Sequence, residues 1–282
     1  MTALKTLLAG YFDYAGLYPP ASHSMRSAAN NYLDYSHSKH ASLLGRFIID
    51  LNRLDEVRSI VCEEDLKQFK LSVIASDISA LDAISKEIEK GTPIETLEFK
   101  ASDPETIEQI ATGVPHSITT YFEIPFEFNA MNVISDMGVR AKVRMGGVVA
   151  GAFPPVSAVV RMLKVLASLR IPFKATAGLH HPFRSSQPLT YEPQSSQATM
   201  HGFLNLCCAA AVLHFGGEES DAEMVLQDED RSAWQVDGGS LRWRHLRWTE
   251  EHLSALRREF FMGVGSCSFE EPIQDLEALG WL

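Results

Sequence analysis

From about residue 40 onward, short runs rich in β-branched and aromatic residues alternate with longer stretches whose apolar residues recur at helical spacing. This pattern predicts strands over residues 44–50, 71–76, 95–100, 118–123, 139–144, 171–176 and 260–265, with an earlier one over 10–14. Helices are expected between them, for example over 24–38, 79–90, 104–112 and 155–169. Pro104 and Pro155 stand where a first helical turn tolerates proline, and Asp103 is placed to cap the former. Strands that alternate with helices of this length form parallel βαβ units. Eight units in 282 residues predict an α/β fold, a (β/α)8 (TIM) barrel forming one domain over residues 1–282. A doubly wound dinucleotide-binding sheet is disfavoured, because no Gly-x-Gly-x-x-Gly follows the first strand.

Two segments interrupt the rhythm. Residues 183–198, after the seventh strand, are polar and rich in Ser, Gln and Pro. They read as a long loop, either a lid over the site or a plain insertion. Residues 216–248 begin acidic and then suggest a hairpin around Asp237, Gly238 and Gly239, an insertion before the last strand.

Side chains along a strand alternate between two faces. Over 139–144, Val139, Ala141 and Val143 share one face, and Arg140, Lys142 and Arg144 the other. Phe173 and Ala175 likewise oppose Lys174 and Thr176, while Glu98 stands with Lys100, and Arg46 with Asp50. Helices must cover the apolar face, so the charged face is the barrel lumen. Isolated charges there would cost several kcal/mol each by order of magnitude, so they must pair, reach the solvated mouth, or face a ligand. Candidates at the strand ends are Asp13, Tyr14, Asp50, Glu98, Lys100, Glu123, Lys142, Arg144, Lys174 and Thr176. With Arg46 and Arg140 added, cations outnumber anions on this face, which points to a small anionic substrate, a carboxylate or a phosphate. A salt-bridge network that merely fills the barrel is the alternative.

Composition narrows the partners. The formal net charge of -11 argues against nucleic acid and anionic membranes. No run of eighteen apolar residues suggests a membrane span, and no signal peptide is apparent. Cys62, Cys207, Cys208 and Cys267 show no metal-type spacing, as expected of reduced thiols in a cytoplasmic protein. Trp234, Trp243 and Trp248 suggest an exposed aromatic cluster and a homo-oligomer interface.

Three strand ends carry glycine: Lys142-Val143-Arg144-Met145-Gly146-Gly147, Lys174-Ala175-Thr176-Ala177-Gly178, and Gly263-Val264-Gly265-Ser266. Glycine lets backbone N–H groups approach a ligand, and a helix following Gly265 and Ser266 would favour an anion. The trio resembles the class I aldolases of the deoxyribose-phosphate aldolase type over roughly the C-terminal half of the chain. That resemblance implies a Schiff-base lysine at Lys142, a second lysine at Lys174 beside Thr176 and Gly178, and a phosphate turn at Gly265 and Ser266. The chain departs from the family at Arg144, which replaces a small hydroxyl residue, and in its insertion before the last strand. The stretches 12–20 and 173–182 also resemble parts of a bacterial family without an assigned function.

A nucleophilic lysine must be partly neutral near pH 7, which burial and neighbouring cations favour. Alternatively, Lys142 and Lys174 act as charged anion clamps. Glu98, Glu123, His180 or His181 could move protons. His201 and Asn205, expected one turn apart at the start of a helix over 199–215, join them as candidates for contacting substrate. The leading expectation is a lyase acting on a small anionic carbonyl compound, without a cofactor. A hydrolase or isomerase using a divalent metal held by His180, His181, His201 and a carboxylate is the second, and a non-catalytic ligand-binding barrel the third.

Overall fold

In the computed structural model, which describes residues 3–282, eight parallel strands close a barrel. They are β1 (Phe12–Tyr14), β2 (Leu44–Asp50), β3 (Leu71–Ala75), β4 (Ile94–Lys100), β5 (Thr119–Ile124), β6 (Arg140–Arg144), β7 (Phe173–Thr176) and, after the insertions, β13 (Phe261–Ser266). β13 lies between β7 and β1 and closes the ring, so the expected (β/α)8 architecture is the observed one. The strands meet the expected ranges to within two residues. β7 starts late because Arg170 has φ 53° and the Ile171 N–H still bonds Leu166 O, which closes the preceding helix first.

The alternation assigned from sequence sorts the side chains into two layers. Phe47, Leu97, Phe99, Phe122, Val143 and Phe173 are buried outside the strands, with Phe99 stacked on Phe122 at 5.8 Å and Phe173 on Phe261 at 4.8 Å. Each such side chain contributes about 1.5–3 kcal/mol on burial. The helices that cover them are stopped and started by local chemistry. Ser24 caps Met25–Ser36 by accepting from Ser27 N, and Asp103 caps Pro104–Gly113 by accepting from Thr106 N. The stretch Ala150–Ser168 is apolar and long enough to cross a membrane by composition. In the barrel, its helix Val156–Ser168 buries Val159, Val160, Met162, Leu163 and Leu166.

Both insertions are more ordered than their composition suggests. Residues 183–198 contain β8 (Ser185–Pro188), which pairs antiparallel with β9 (Gln197–Met200) to form an arm instead of a structureless loop. Residues 216–248 hold the helix Glu219–Gln227 and a three-stranded antiparallel sheet of β10 (Trp234–Val236), β11 (Ser240–Trp243) and β12 (Leu246–Thr249). The expected turn lies between β10 and β11, where Gly239 N donates to Asp237 Oδ1 at 2.9 Å. The tryptophans are not an exposed cluster: Trp234, Trp243 and Trp248 are 4%, 1% and 5% exposed. Trp243 Nε1 donates to Asp228 Oδ2 at 2.7 Å, which ties the small sheet to the insertion's own helix end, and the Trp234 ring packs on Phe183 at 5.4 Å.

Candidate functional site

The lumen is held by a chain of ion pairs running from β1 to β6. Lys174 Nζ donates to Asp13 Oδ2 at 2.8 Å and also to Glu98 Oε1. Glu98 Oε2 lies 2.7 Å from Lys142 Nζ, which in turn reaches Glu123 Oε2 at 2.8 Å. Glu123 Oε1 accepts from Arg144 Nε at 2.9 Å. The register sets this order, because Glu123 pairs with Lys142 and Lys142 with Lys174 across adjacent strands. Hydroxyls complete it: Ser72 donates to Glu98 Oε1 at 2.5 Å, and Thr96 donates to Ser72 at 2.6 Å. The Tyr121 ring lies 5.0 Å from Lys174 Nζ.

Three carboxylates (Asp13, Glu98, Glu123) thus meet three cations (Lys142, Lys174, Arg144). Of the remaining arginines, one meets carboxylates and one a hydroxyl. Arg46 pairs with Glu95 at 3.0 Å and lies 3.8 Å from Asp13, and Arg140 donates to the Tyr121 hydroxyl at 3.2 Å. The cation excess counted along single strands therefore shrinks to Arg140, whose partner is a hydroxyl, while the buried inner set is balanced, as burial requires. Burial alone would favour neutral Glu98, but Lys142 and Lys174 outweigh it and hold the carboxyl far below the usual range. Burial would likewise favour a free amine at Lys174, yet Asp13 and Glu98 reverse this and raise its pKa. Lys174 is consequently a fixed ammonium, not the nearly neutral amine considered from sequence. Glu123, also desolvated, is lowered by Lys142 and Arg144.

Above this chain opens a cavity of about 720 Å³, with Lys142, Thr176 and Gly265 among the residues at its strand ends. The Lys142 side chain is 7% exposed and lines the cavity, whereas Lys174, at 2%, is sealed by its carboxylates. Arg144, Gly146 and Gly147 line the cavity as well. A Cβ at Gly146 would lie 2.5 Å from the Phe153 ring, so any side chain here would have to displace that ring. After β7, Ala177 (φ 65°) and Gly178 (φ 69°) form a left-handed pair that turns the chain toward His180 and His181. His180 Nδ1 lies 3.0 Å from Glu271 Oε2 and 3.4 Å from Ser266 Oγ, while both ring nitrogens lie 3.9 Å from Cys267 Sγ. Burial opposes an imidazolium there, but Cys267 and Glu271 overcome it and raise the His180 pKa to about 10. His181 Nδ1 pairs with Asp275 Oδ2 at 2.7 Å.

Several candidates lie elsewhere. Tyr14 is buried against Phe47 and Tyr35, its hydroxyl accepting from Asn31 at 3.2 Å, because its strand position faces the helices. Asp50 accepts from the Tyr18 hydroxyl at 3.0 Å and so anchors a cavity residue instead of lining the cavity. Lys100 is exposed and borders a separate hollow with Glu123 and Arg144. His201 precedes the helix Phe203–His214, and its Nε2 bonds Pro154 O at 2.8 Å. Asn205 donates to Val225 O and Asp228 O at 2.7 and 2.9 Å and accepts from Arg184 N at 2.8 Å, a structural clamp instead of a substrate contact. Ser266 Oγ donates to Ser268 O at 2.7 Å, and acidic Glu270 and Glu271 open the helix that follows, so this turn is no ready anion cradle. Among the described residues, no three His, Cys, Asp or Glu side chains are grouped to hold a metal, and His201 stands apart from His180 and His181. Residues missed from sequence are Tyr18, Tyr191, Cys267 and Glu271, all lining the cavity. Cys267 directly follows Gly265 and Ser266, the one signal that could have drawn attention to it.

Neither a family model nor a curated protein matches the chain. Among solved structures, it is similar to FabK from Thermotoga maritima, at 15% identity and a TM-score of 0.37. That alignment covers 64% of this chain and 56% of the other. A methionine-to-alanine mutant of the same FabK aligns over 99% of this chain and 97% of its own, at 14% identity and a TM-score of 0.44.

Proposed function

We propose that the protein is an aldolase-like lyase that joins Lys142 to the carbonyl carbon of a small anionic aldehyde, ketone or keto acid. The observation that carries this reading is the placement of Lys142, which opens to the cavity between Glu98 and Glu123 and beside the fixed ammonium of Lys174. An ammonium and a carbonyl condense to an iminium and one water, so the positive charge at that nitrogen is conserved. The two carboxylates at 2.7 and 2.8 Å therefore serve the product of the step as well as the resting lysine.

Glu98, kept ionised by Lys174, remains the counter-ion. Glu123 accepts one ammonium proton, which frees the lone pair that attacks the carbonyl carbon. A second ammonium proton passes to the new alkoxide. The proton held by Glu123 then goes to that hydroxyl, which leaves as water. The iminium withdraws the electron pair of the bond between the α and β carbons as it breaks. The β-hydroxyl passes its proton to Glu123 and leaves as a carbonyl product, and the enamine takes that proton on carbon and is hydrolysed by water, which frees Lys142. Arg144, 53% exposed at its side chain, is the cation placed to meet the substrate's anionic group.

A panel of small anionic aldehydes, ketones and keto acids screened for carbon–carbon cleavage tests this. Activity is expected to survive a chelator and to vanish in Lys142→Met. Turnover that persists in Lys142→Met, or that a chelator removes, contradicts the proposal.

A further inference from the structure

The imine reaction leaves one buried nucleophile in the cavity unused. Cys267 is 5% exposed, follows the last barrel strand, and lines the same cavity as Lys142. Its sulfur lies 3.9 Å from both ring nitrogens of His180 and 3.7 Å from the Tyr191 hydroxyl, which the arm brings over it. The other face of this cluster is the Glu271 carboxylate, 3.0 Å from His180 Nδ1. Thiol, imidazole and carboxylate therefore come from three successive parts of the rim: the β13 end, the β7 turn, and the helix Glu270–Ala278.

We propose that Cys267, His180 and Glu271 form a second covalent site, in which the thiol attacks the acyl group of a small ester or thioester. A thiolate is the reactive form of cysteine, and an adjacent imidazolium stabilises it. His180 is held protonated by its surroundings, and Glu271 pairs with that ring and also with Tyr191, the second group that contacts the sulfur. Tyr14 and Tyr191 also face the sulfur electrostatically, while Glu270 on the last helix acts on Tyr14 and His181 acts on Glu271.

In the step itself, the thiol proton resides on His180 while the sulfur–carbon bond forms. The bond from the acyl carbon to its oxygen or sulfur leaving group breaks, and that group departs with the electron pair and takes the proton. Water then adds to the acyl-cysteine, releasing a carboxylic acid and restoring the thiol. A cavity of about 720 Å³ admits a small acyl compound, with Arg144 lining the same cavity to receive an anionic substituent.

The remaining cysteines supply internal references. Cys207 and Cys208 are fully buried, and burial pushes the Cys207 thiol up to about 12 and raises Cys208 as well. Cys62 is exposed and starts the short helix Glu63–Leu66. There the Asp65 backbone favours its thiolate, but the Asp65 and Glu64 carboxylates outweigh this and raise its pKa, so the effect of His180→Gln on Cys267 is the deciding comparison. An ordinary thiol is about 1% thiolate at about pH 6.5. Timed alkylation with iodoacetamide at that pH, read peptide by peptide, is expected to label Cys267 about tenfold or more faster than Cys62 despite its burial. His180→Gln should remove that lead and leave the Cys62 rate unchanged, whereas Lys142→Met should leave both rates as they are. Thiolate absorbance, taken as wild type minus Cys267→Ser, reads the same state without any reagent having to enter. p-Nitrophenyl acetate should leave an acetyl mass on Cys267. Labelling no faster than at Cys62, with no thiolate absorbance at that pH, overturns the activated thiol. A fast-labelling Cys267 that takes no acetyl group overturns the acyl chemistry.

Discussion

At Glu98 one buried carboxylate faces two lysines, Lys142 at 2.7 Å and Lys174 on its other oxygen. Removing one member of a buried ionic set strands the charges it paired, at a cost of about 3–5 kcal/mol. Glu98→Gln keeps the shape and removes the charge, so urea unfolding should show a loss of that size. His180 gives a pH signature of opposite direction to that of the carboxylates. Its folded pKa lies near 10 against 6.5 as the ordinary value, so its stabilisation is complete below about pH 6.5 and is lost as pH rises toward 10. His180→Gln should therefore flatten the decline in melting temperature over that window, and an unchanged decline would remove His180 as its source. Glu98 and Glu123 are depressed instead, so their contribution holds above the ordinary carboxylate range and fails as pH falls below it. Lys142, Lys174 and Glu98 were legible because a period of two places them on one face. His201 and Asn205 were misread because their partners, Pro154, Val225, Asp228 and Arg184, lie far along the chain or on backbone atoms that carry no pattern.

Strands and helices fix these groups through close approaches that tolerate little change. At Gly45 in β2, a Cβ would lie 2.4 Å from Asp13 Oδ1 and 3.0 Å from the β1 backbone. Gly45→Ala should displace Asp13 from Lys174 and destabilise the fold by about 1–3 kcal/mol, as overpacking does, measurable by chemical unfolding. Asn205→Ala leaves three backbone groups unpaired inside the protein, and a loss of about 3 kcal/mol or more is expected. If Asn205 is a clamp, what folded Asn205→Ala protein remains should bind and turn over as the wild type does; a selective loss of substrate affinity would restore it to the site. The barrel strands announced themselves by alternation, but β8 and β9 did not. Ser185–Pro188 and Gln197–Met200 are exposed on one face and only partly covered on the other, and the covered face is built from Ser185, Gln187, Ala198 and Met200, too polar a set to leave a hydrophobic period to read.

Over the whole molecule, eight alternating units defined the closed barrel, and length limited the alternatives. What the chain pattern could not supply was the sum of charges across strands. Arg46 and the lysines look like a surplus along the sequence and become a paired set once the ring closes and brings Asp13 and Glu95 to them, and Arg140 meets the Tyr121 hydroxyl. The tryptophans of the insertion were misplaced for a related reason, since Trp243 meets Asp228 only after the small sheet folds. The central claim is that this balanced lumen leaves one lysine facing the cavity for covalent chemistry. Incubation with small anionic carbonyl compounds, reduction with borohydride and peptide mass mapping tests it most directly. A reduced adduct on Lys142, absent in Lys142→Met and absent from Lys174, is the predicted result. No adduct with any carbonyl compound, or adducts scattered over surface lysines and unchanged in Lys142→Met, would contradict it.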